Sequence, residues 1–354
     1  MQVVEQHCIS KDDPRYAIID VAAFKSKNQA TFTGRPKLPG YKHKTEGRNL
    51  LIYTVQALRG GQSKKGLPPG RIQPSGLPVE VKTQQDPKTI DQVRIVPRKG
   101  YYVVEVIYSK EPVQASVDPS VCVAIDVGVT NLAAITSNCA GFIPRLVNGR
   151  PLKAINQWYN KRMKELTVCL PKAERERVTK QMRRITTHRN WQVNHYLHAA
   201  SKRIIDLLVQ EGIGTLIIGK NPFWKQEASM GRRNNQNFVQ IPHARFIDML
   251  TYKAALVGIQ VEIQEESYTS KASFLDWDPI PTYKPDDEEK HIFSGKRIGR
   301  RNRLYRTQGG RVICADVNGS YNILRKRKPD AFVHANAKGV AAYVVQPLRL
   351  AIAV

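Results

Sequence analysis

Acidic residues are scarce in this chain. Among 354 residues, 30 Asp and Glu stand against 56 Lys and Arg, a formal net charge of +26. So large a surplus implies a polyanionic partner, and nucleic acid is the default. Cysteine is sparse as well. Cys8, Cys122, Cys139, Cys169 and Cys314 are odd in number and none belongs to a C-x-x-C pair, so neither a disulfide framework nor a zinc knuckle is supported. Cys122 and Cys314 lie in apolar runs and read as small core residues. No apolar run approaches the length of a membrane span, and the opening Met-Gln-Val-Val-Glu-Gln is no signal peptide. No basic amphipathic helix or lipidation signal marks a membrane surface either, and a cytosolic protein is expected.

The length suffices for two domains or three. Residues 1–33 carry no patterned element. From Gly34 the text becomes short apolar stretches broken by Pro, Gly and Lys, with strand candidates at Asn49–Leu58, Leu77–Val81, Gln92–Pro97 and Tyr101–Tyr108. Short strands with turn signals predict a small twisted β-barrel over 34–117. The basic, Gly-rich loop at Gly60–Arg71 suits a surface loop and a phosphate contact equally well. A linker is predicted at Lys110–Pro119.

The stretch that organises the chain follows it, Val121-Cys-Val-Ala-Ile-Asp126-Val-Gly-Val-Thr-Asn131-Leu-Ala-Ala-Ile-Thr136. Its β-branched run predicts a buried strand that turns back on itself. Asp126 then sits within strand density, where an isolated carboxylate is costly. A turn cap, a carboxylate tied to backbone amides, and a functional acid are all open on this stretch alone. Actin-like kinases and RNase H-like nucleases both begin with such a strand. Beyond it the pattern predicts a third strand near Gly141–Val147, helices over Pro151–Leu166 and Glu174–Glu211, and a strand at Thr215–Lys220. A helix from Pro242 to Gly258, a strand from Ile259, an irregular segment over 271–308 and a capped helix from Ala315-Asp316 complete it, and the tail closes with Ala341-Tyr-Val-Val. That order is RNase H-like, with strands joined through helices running parallel and ending on one edge. A kinase of the actin type would need a second phosphate hairpin, and none appears.

Phosphodiester cleavage by metal ions needs acids that hold two magnesium ions about 3.5–4 Å apart. Asp126 ends the first strand, Glu265 or Glu266 ends the last parallel strand, and Asp316 opens the final helix. Asp316 serves equally well as a helix cap, and the glutamate pair as a solvated strand end. Two cationic groups are candidates for nucleic-acid contact: Lys296, Arg297, Arg300, Arg301, Arg303 and Arg306 in the insertion, with Tyr305 among them, and Arg183, Arg184 and Arg189 on the long helix.

Several stretches together resemble TnpB, the OrfB-type protein of small bacterial insertion sequences, related to type V CRISPR effectors. They are Gly34-Arg-Pro-Lys-Leu-Pro-Gly-Tyr-Lys, Ala124-Ile-Asp-Val-Gly-Val-Thr-Asn-Leu, Asn148-Gly-Arg-Pro-Leu-Lys, Ile217-Ile-Gly-Lys-Asn-Pro-Phe-Trp, Asn234-Asn-Gln-Asn-Phe-Val, Glu265-Glu-Ser-Tyr-Thr-Ser and Ala315-Asp-Val-Asn-Gly-Ser-Tyr-Asn-Ile. They cover about residues 34–354. The resemblance implies an RNA-guided DNA endonuclease, often described as a transposase, in the cytoplasm of a bacterium close to the nucleoid. It implies a wedge-like barrel over 34–117 and a RuvC nuclease over 118–270 and 309–354, interrupted by a basic insertion at 271–308. The implied partners are a guide RNA and target DNA, with no membrane and no dedicated protein partner. The implied cofactor is magnesium, or manganese in its place, held by Asp126, Glu266 and Asp316, with Glu265 as substitute for Glu266.

Three departures from the family pattern shape the expectations. The usual glutamate ends the strand at 215–218, where this chain has Gly219-Lys220; a subset of relatives carries it just before Thr-Ser, which selects Glu266. The usual four-cysteine ribbon is absent, with Ala272-Ser-Phe-Leu-Asp standing where a Cys pair would be, so no zinc is expected. Only 33 residues precede the Gly34 stretch, fewer than a first wedge strand and helical recognition module need, so a shortened chain is expected. Two alternatives are a nuclease-inactive DNA- or RNA-binding protein of the same ancestry and an unguided RNase H-fold transposase or resolvase.

Overall fold

The computed structural model describes residues 49–59, 70–98, 101–139, 141–220, 240–283, 291–299, 303–332 and 346–352. The features expected at Gly34–Lys42, in most of the Gly60–Arg71 loop, at Asn234–Val239, at Arg300 and Arg301 and near Ala341 lie outside them. Two compact units divide the chain, Met1–Tyr108 and Ser109–Val354. The expected boundary at 117/118 therefore moves. The segment predicted as a linker hydrogen-bonds within the second unit, with Val113 N donating to Leu256 O (2.9 Å), Ala115 N to Val257 O (3.1 Å) and Asp118 N to Gly212 O (2.8 Å).

In the first unit, β1 (Leu51–Thr54), β5 (Ile90–Arg98) and β6 (Tyr101–Tyr108) form one antiparallel sheet in the order β1-β5-β6. Strands β2 (Leu58–Arg59), β3 (Arg71–Pro74) and β4 (Val81–Lys82) form another. Leu58, Ile72, Ile90 and Val93 make the small core that both share. The strands expected at Gln92–Pro97 and Tyr101–Tyr108 are present, whereas Asn49–Leu58 is broken by a tight helical turn at Val55–Ala57 and Leu77–Val81 becomes strand only at Val81. Among the described residues the strands pair as two sheets and not as a closed barrel.

The second unit is built on one sheet. Strands β7 (Asp118–Val127), β8 (Asn131–Ser137) and β9 (Arg145–Asn148) form the predicted antiparallel meander. Strand β10 (Ile213–Gly219) pairs parallel to β7, and β11 (Gln260–Gln264) parallel to β10. With β15 (Leu348–Leu350) added parallel to β9, the order is β11-β10-β7-β8-β9-β15. Numbering the first five by sequence gives 5-4-1-2-3 with the meander strands antiparallel, the RNase H-like order that RuvC nucleases share. Strand β10 is buried along its whole length, as a parallel strand covered on both faces must be.

Strand alternation sorts the faces. Val123, Ile125 and Val127 point to helices α2 (Lys180–Gln210) and α3 (His243–Ala255), meeting Leu197, Ala200, Ile204, Phe246 and Leu250 in the main core. Cys122 and Ala124 point the other way, to α4 (Ala315–Arg327), where Ile217, Phe274, Tyr321 and Phe332 complete a second core. Helix α1 (Arg150–Val168) opens with Pro151 at its start. The helix expected from Glu174 begins later, because Thr179 caps α2 by accepting from Met182 N at 3.2 Å.

Two corrections concern the insertion. It is not irregular throughout: β12 (Lys296–Ile298), β13 (Leu304–Arg306) and β14 (Val312–Cys314) pair as an antiparallel sheet. Three-residue strands are too short to leave a periodic signal in the text. Tyr305, grouped above with the cations, is fully buried with its hydroxyl donating to Lys271 O (2.7 Å). Asp276 gathers this region. Its Oδ2 accepts from Ser273 Oγ (2.6 Å), Ser294 Oγ (3.1 Å) and Gln308 N (2.8 Å), joining three separate segments through one carboxylate.

Helix α4 is buried along its length from Ala315 to Arg325, although half of those residues are polar. Each polar side chain ties down a neighbour. Asn318 accepts from Phe274 N (2.9 Å) and donates to Ala272 O (2.7 Å), while Ser320 donates to Ala124 O (2.9 Å). Asn322 donates to Thr269 O and Ala272 O, and Arg325 to Asp278 O. Asn318→Ala leaves the buried Phe274 amide without that partner, which costs about 1–3 kcal/mol. Urea unfolding should show a loss of that size, and an unchanged midpoint would show that Asn318 does not stabilise this contact.

Candidate active site

The alternation that aims Cys122 and Ala124 at α4 also aims Asp126 there. It lies on β7 opposite Ala134 of β8, at the C-terminal end where the parallel strands finish. Helix α4 has Gly319 at the contact. A Cβ on Gly319 would sit 2.9 Å from Asp126 Oδ2, so only a glycine lets the carboxylate this close.

Asp316 occupies the first turn of α4 and is 7% exposed. Its carboxylate does not cap the helix. Oδ2 accepts from Asn131 Nδ2 (2.7 Å) and from Arg303 Nη1 (2.6 Å), and Arg297 Nη2 stands 4.0 Å from Oδ1. Asn131 opens β8, so the hairpin that presents Asp126 also holds Asp316. Arg303 carries a left-handed backbone (φ 50°), a conformation that non-glycine residues adopt at a cost and that clusters at functional sites.

The glutamate pair separates into two roles. Glu265 Oε2 is ion-paired to Lys326 Nζ (2.6 Å), a lysine only 7% exposed, which also donates to Ser267 O and Pro281 O (both 3.1 Å). Burial works to raise the Glu265 carboxyl, but hydrogen bonds from Lys326 and Ser267 outweigh it and hold the group below the ordinary range. Glu266 turns inward instead. Its carbonyl accepts from Thr269 N (3.1 Å) and Thr269 Oγ1 (2.8 Å), which is the physical content of the spacing to Thr269. Its carboxylate lies over Gly219 at the end of β10. A Cβ on Gly219 would fall 2.1 Å from Glu266 Oε1 and 2.7 Å from Ile323 Cδ1. The glutamate from beyond β11 thus fills the space that a side chain at the end of β10 would take.

Along α4, Asp316, Gly319, Ile323 and Lys326 follow one another at helical spacing on one face. Asp126 approaches Gly319, Glu266 and Ile323 both border the space over Gly219, and Glu265 pairs with Lys326. Burial first, and then the neighbouring Asp316 carboxylate, push Asp126 up to about 7, against the pull of Arg297 and Arg303. Burial, with Asp126 and Glu265 nearby, pushes Glu266 well above the ordinary carboxylate range. The donors of this cluster are all carboxylate oxygens, suited to magnesium or manganese more than to zinc. Among the described residues no three acidic, His or Cys side chains are gathered tightly enough to hold an ion as they stand. Asp316 is engaged by Asn131 and Arg303. The donor set fits a hard divalent cation in kind, and carboxylates that raise one another's proton affinity are what such a cation relieves.

The cationic candidates divide. Arg303 and Arg297 face Asp316. Lys296 and Arg306 are exposed and opposite each other on β12 and β13. Arg183 and Arg184 are exposed on α2. Arg189 is used internally, donating to Asn156 Oδ1 (2.8 and 2.6 Å) and Gln240 O (2.9 Å). Sequence reasoning missed Asn131, Lys326 and Lys153, whose Nζ donates to Thr130 Oγ1 (2.7 Å) beside the site. Asn131 lies inside the hairpin motif and was within reach. Lys326 leaves no signal, being one cation among many.

A family model described as a probable transposase, OrfB_IS605, matches residues 102–223, and one described as Cas12f1-like, TNB domain, matches residues 243–323. No curated protein matches the chain. Similar solved structures include a Cas12f1-sgRNA-target DNA complex (15% identity, TM-score 0.47, 85% of this chain) and a CRISPR-Cas12f ternary complex (14%, 0.41, 66%). A third is the mini-RNA-guided endonuclease CRISPR-Cas_phi3 (10%, 0.37, 76%). The chain spans 67%, 45% and 54% of those three chains. The fold rests on the strand order above and not on these likenesses. Among the described residues no helix is long and apolar enough to cross a membrane.

The raised carboxyls predict a pH dependence. A carboxyl with a folded-state value above its unfolded value, about 4, binds its proton more tightly when folded. The stability this adds is complete below the unfolded value and is lost as pH rises through the folded one. In chelating buffer the unfolding temperature should therefore fall as pH is raised through about 7, the value for Asp126. Asp126→Asn should flatten the fall, and an equal slope in that variant would show that Asp126 does not titrate there.

Proposed function

Because this chain is a TnpB-like protein of the OrfB type, we propose that it is an RNA-guided DNA endonuclease with Asp126, Glu266 and Asp316 as its catalytic acids. The observation that supports this reading best is that acids from three separate elements lie along one face of α4, Asp126 and Glu266 against it and Asp316 on it, at the C-terminal edge of an RNase H-ordered sheet. The +26 net charge agrees with RNA and DNA as partners.

In this reading Asp126, Glu266 and Asp316 hold magnesium or manganese. When bound, such a cation would supply charge neutralisation at a phosphate and Lewis-acid activation of water. The protein's own groups do the rest. Asn131 orients Asp316, Lys326 holds the Glu265–Ser267 turn so that Glu266 faces Asp126, and the buried edge limits access of bulk water to the carboxylates. Arg303 neutralises Asp316 and, released from it, would offer its guanidinium to a phosphate. Hydrolysis adds water across the P–O bond and leaves one strand end with a phosphate and the other with a hydroxyl.

Asp126→Ala and Asp316→Ala are expected to abolish cleavage while nucleic-acid affinity stays near wild type, since cations carry binding. Glu266→Gln is expected to abolish cleavage or to require far more magnesium, with Glu265→Gln milder because its role passes through Lys326. A magnesium titration of cleavage by the four variants decides this. Normal cutting by Glu266→Gln with a dead Glu265→Gln would shift the assignment by one residue. Gly219→Glu should restore part of the activity in a Glu266→Ala background but not in wild type, where the two side chains would contest one space.

RNA that survives a moderate-salt wash should be recovered with the protein and be sequenceable. A protein that is RNA-free, soluble and still cuts DNA would overturn the guided part of the reading.

A further inference from the structure

Beside the acids, on the opposite flank of the same sheet edge, α1 and α2 enclose a trough. Its larger part, about 640 Å³, is lined by Asn148, Trp191, His195 and Tyr196 and closed by residues 349–352. A second hollow of about 320 Å³ shares Ile155, His188 and Gln192 with the first and ends at Trp158. Trp191 is 61% exposed and Trp158 48%. Indoles that open to solvent are poorly placed for a core and well placed for a flat partner.

The electrostatics narrow the partner. Among the described residues no acidic side chain lines either part, and Arg349 lines the larger one. Helical spacing sets Arg184 on the side of α2 that carries His188 and Trp191, and Lys161 and Arg162 one turn beyond Trp158 on α1. Arg184, Lys161 and Arg162 are exposed, Arg162 being paired with Glu165 Oε2 at 2.8 Å. A cationic rim around stacking surfaces fits a polymer with regular negative charge and flat faces, a single-stranded nucleic acid. A protein partner of apolar character would have no use for the rim.

Continuity with the acids selects the strand. Asn148 at the mouth of the trough is the register partner of Asn131, which holds Asp316. Gly149 N donates to Thr130 O (2.8 Å) and Lys153 Nζ to Thr130 Oγ1 (2.7 Å), so the trough and the Asp126 hairpin share one turn. Arg150 is exposed at the start of α1, and Lys153, bonded to the hairpin turn, has Arg150 and Arg303 as its cationic neighbours. A strand leaving the acids across this turn passes two cations and reaches the tryptophans.

We propose that the trough holds the single-stranded DNA flank next to the cut, with phosphates on Arg150 and Lys153 and bases stacked on Trp191 and Trp158. The proposal rests on the nuclease reading above. It adds a substrate subsite that positions the strand and does not itself react.

The test uses the full-length Asp126→Ala protein, which keeps the strand uncut, with dT20 carrying single 5-iododeoxyuridines and the matching rU20 carrying 5-iodouridines. After irradiation, peptide mapping is expected to find dT20 attached at Trp191 and Trp158. Trp158→Ala/Trp191→Ala should bind dT20 at least about 30-fold more weakly, since removal of one stacked base alone weakens binding about 5- to 150-fold. The same pair of changes in the cutting-competent protein should raise KM for DNA more than it lowers kcat. Attachment of dT20 only elsewhere, or attachment of rU20 alone at the tryptophans, overturns the proposal. So does unchanged dT20 affinity in the double variant with its far-ultraviolet circular dichroism intact. If dT20 attaches at the tryptophans but the wild-type protein cuts no DNA with magnesium or manganese, the trough stands and the nuclease reading fails. Normal cutting with no attachment at the tryptophans keeps the nuclease reading and removes the trough as a strand-binding subsite.

Discussion

The second unit depends on a helix with no exposed side. Helix α4 lies between the sheet and the insertion, and Ala315 through Arg325 are all buried. A helix in that position has to satisfy every polar side chain from its neighbours, since an orphaned buried group costs about 1–3 kcal/mol. Asn318, Ser320, Asn322 and Arg325 do so by bonding backbone atoms of the segment after β11 and of β7. The same bonds lock the position of that segment, and with it the turn that carries Glu266. Packing and the candidate site are therefore one arrangement. The hydrophobic contacts of Val317, Tyr321 and Leu324 bring the helix in, and its polar residues set the register.

Close approach has an electrostatic consequence. Gly319 admits the Asp126 carboxylate to the helix surface, and Gly219 admits that of Glu266 to the sheet surface. Two carboxylates without bulky neighbours at those points come near each other in a buried setting, and both are harder to ionise. Arg303 and Arg297 offset the third, Asp316. Positive charge thus has two separate uses here. A few cations balance the acids inside the site, while others, among them Lys296, Arg306, Arg183 and Arg184, remain on the surface.

The insertion meets a problem common to very small sheets. Strands of three residues bury too little core of their own to be stable; among the described residues Tyr305 and Ile313 are its buried apolar side chains, packed with Ala315 of α4. Here Asp276 and Asp278 draw its segments together through hydrogen bonds, with Asp278 accepting from Ser273 N (2.8 Å) and Ser294 N. A carboxylate that accepts several bonds joins segments as a bound ion would, though with weaker individual links.

Much of this protein was determined by the sequence alone. Helical stripes in α2 and α3, the apolar runs of β7, β8 and β10 and the basic surplus are local or summed properties, and each is legible without knowing what packs against what. The order of those elements predicted the strand order, because parallel strands joined through helices have few ways to pack. The three acids were legible as candidates for the same reason, since strand ends on one edge converge. Tertiary structure alone decided the rest. Whether Glu265 or Glu266 faces Asp126 turned on Lys326, which lies 61 residues from Glu265. Arg303 read as a surface cation until Asp316 was placed beside it, and Tyr305 as part of the same run until it was buried. Trp158 and Trp191 carry no pattern that separates a core residue from an exposed one. Pairing, burial and charge neutralisation join residues far apart in sequence, and none of them leaves a trace in local spacing.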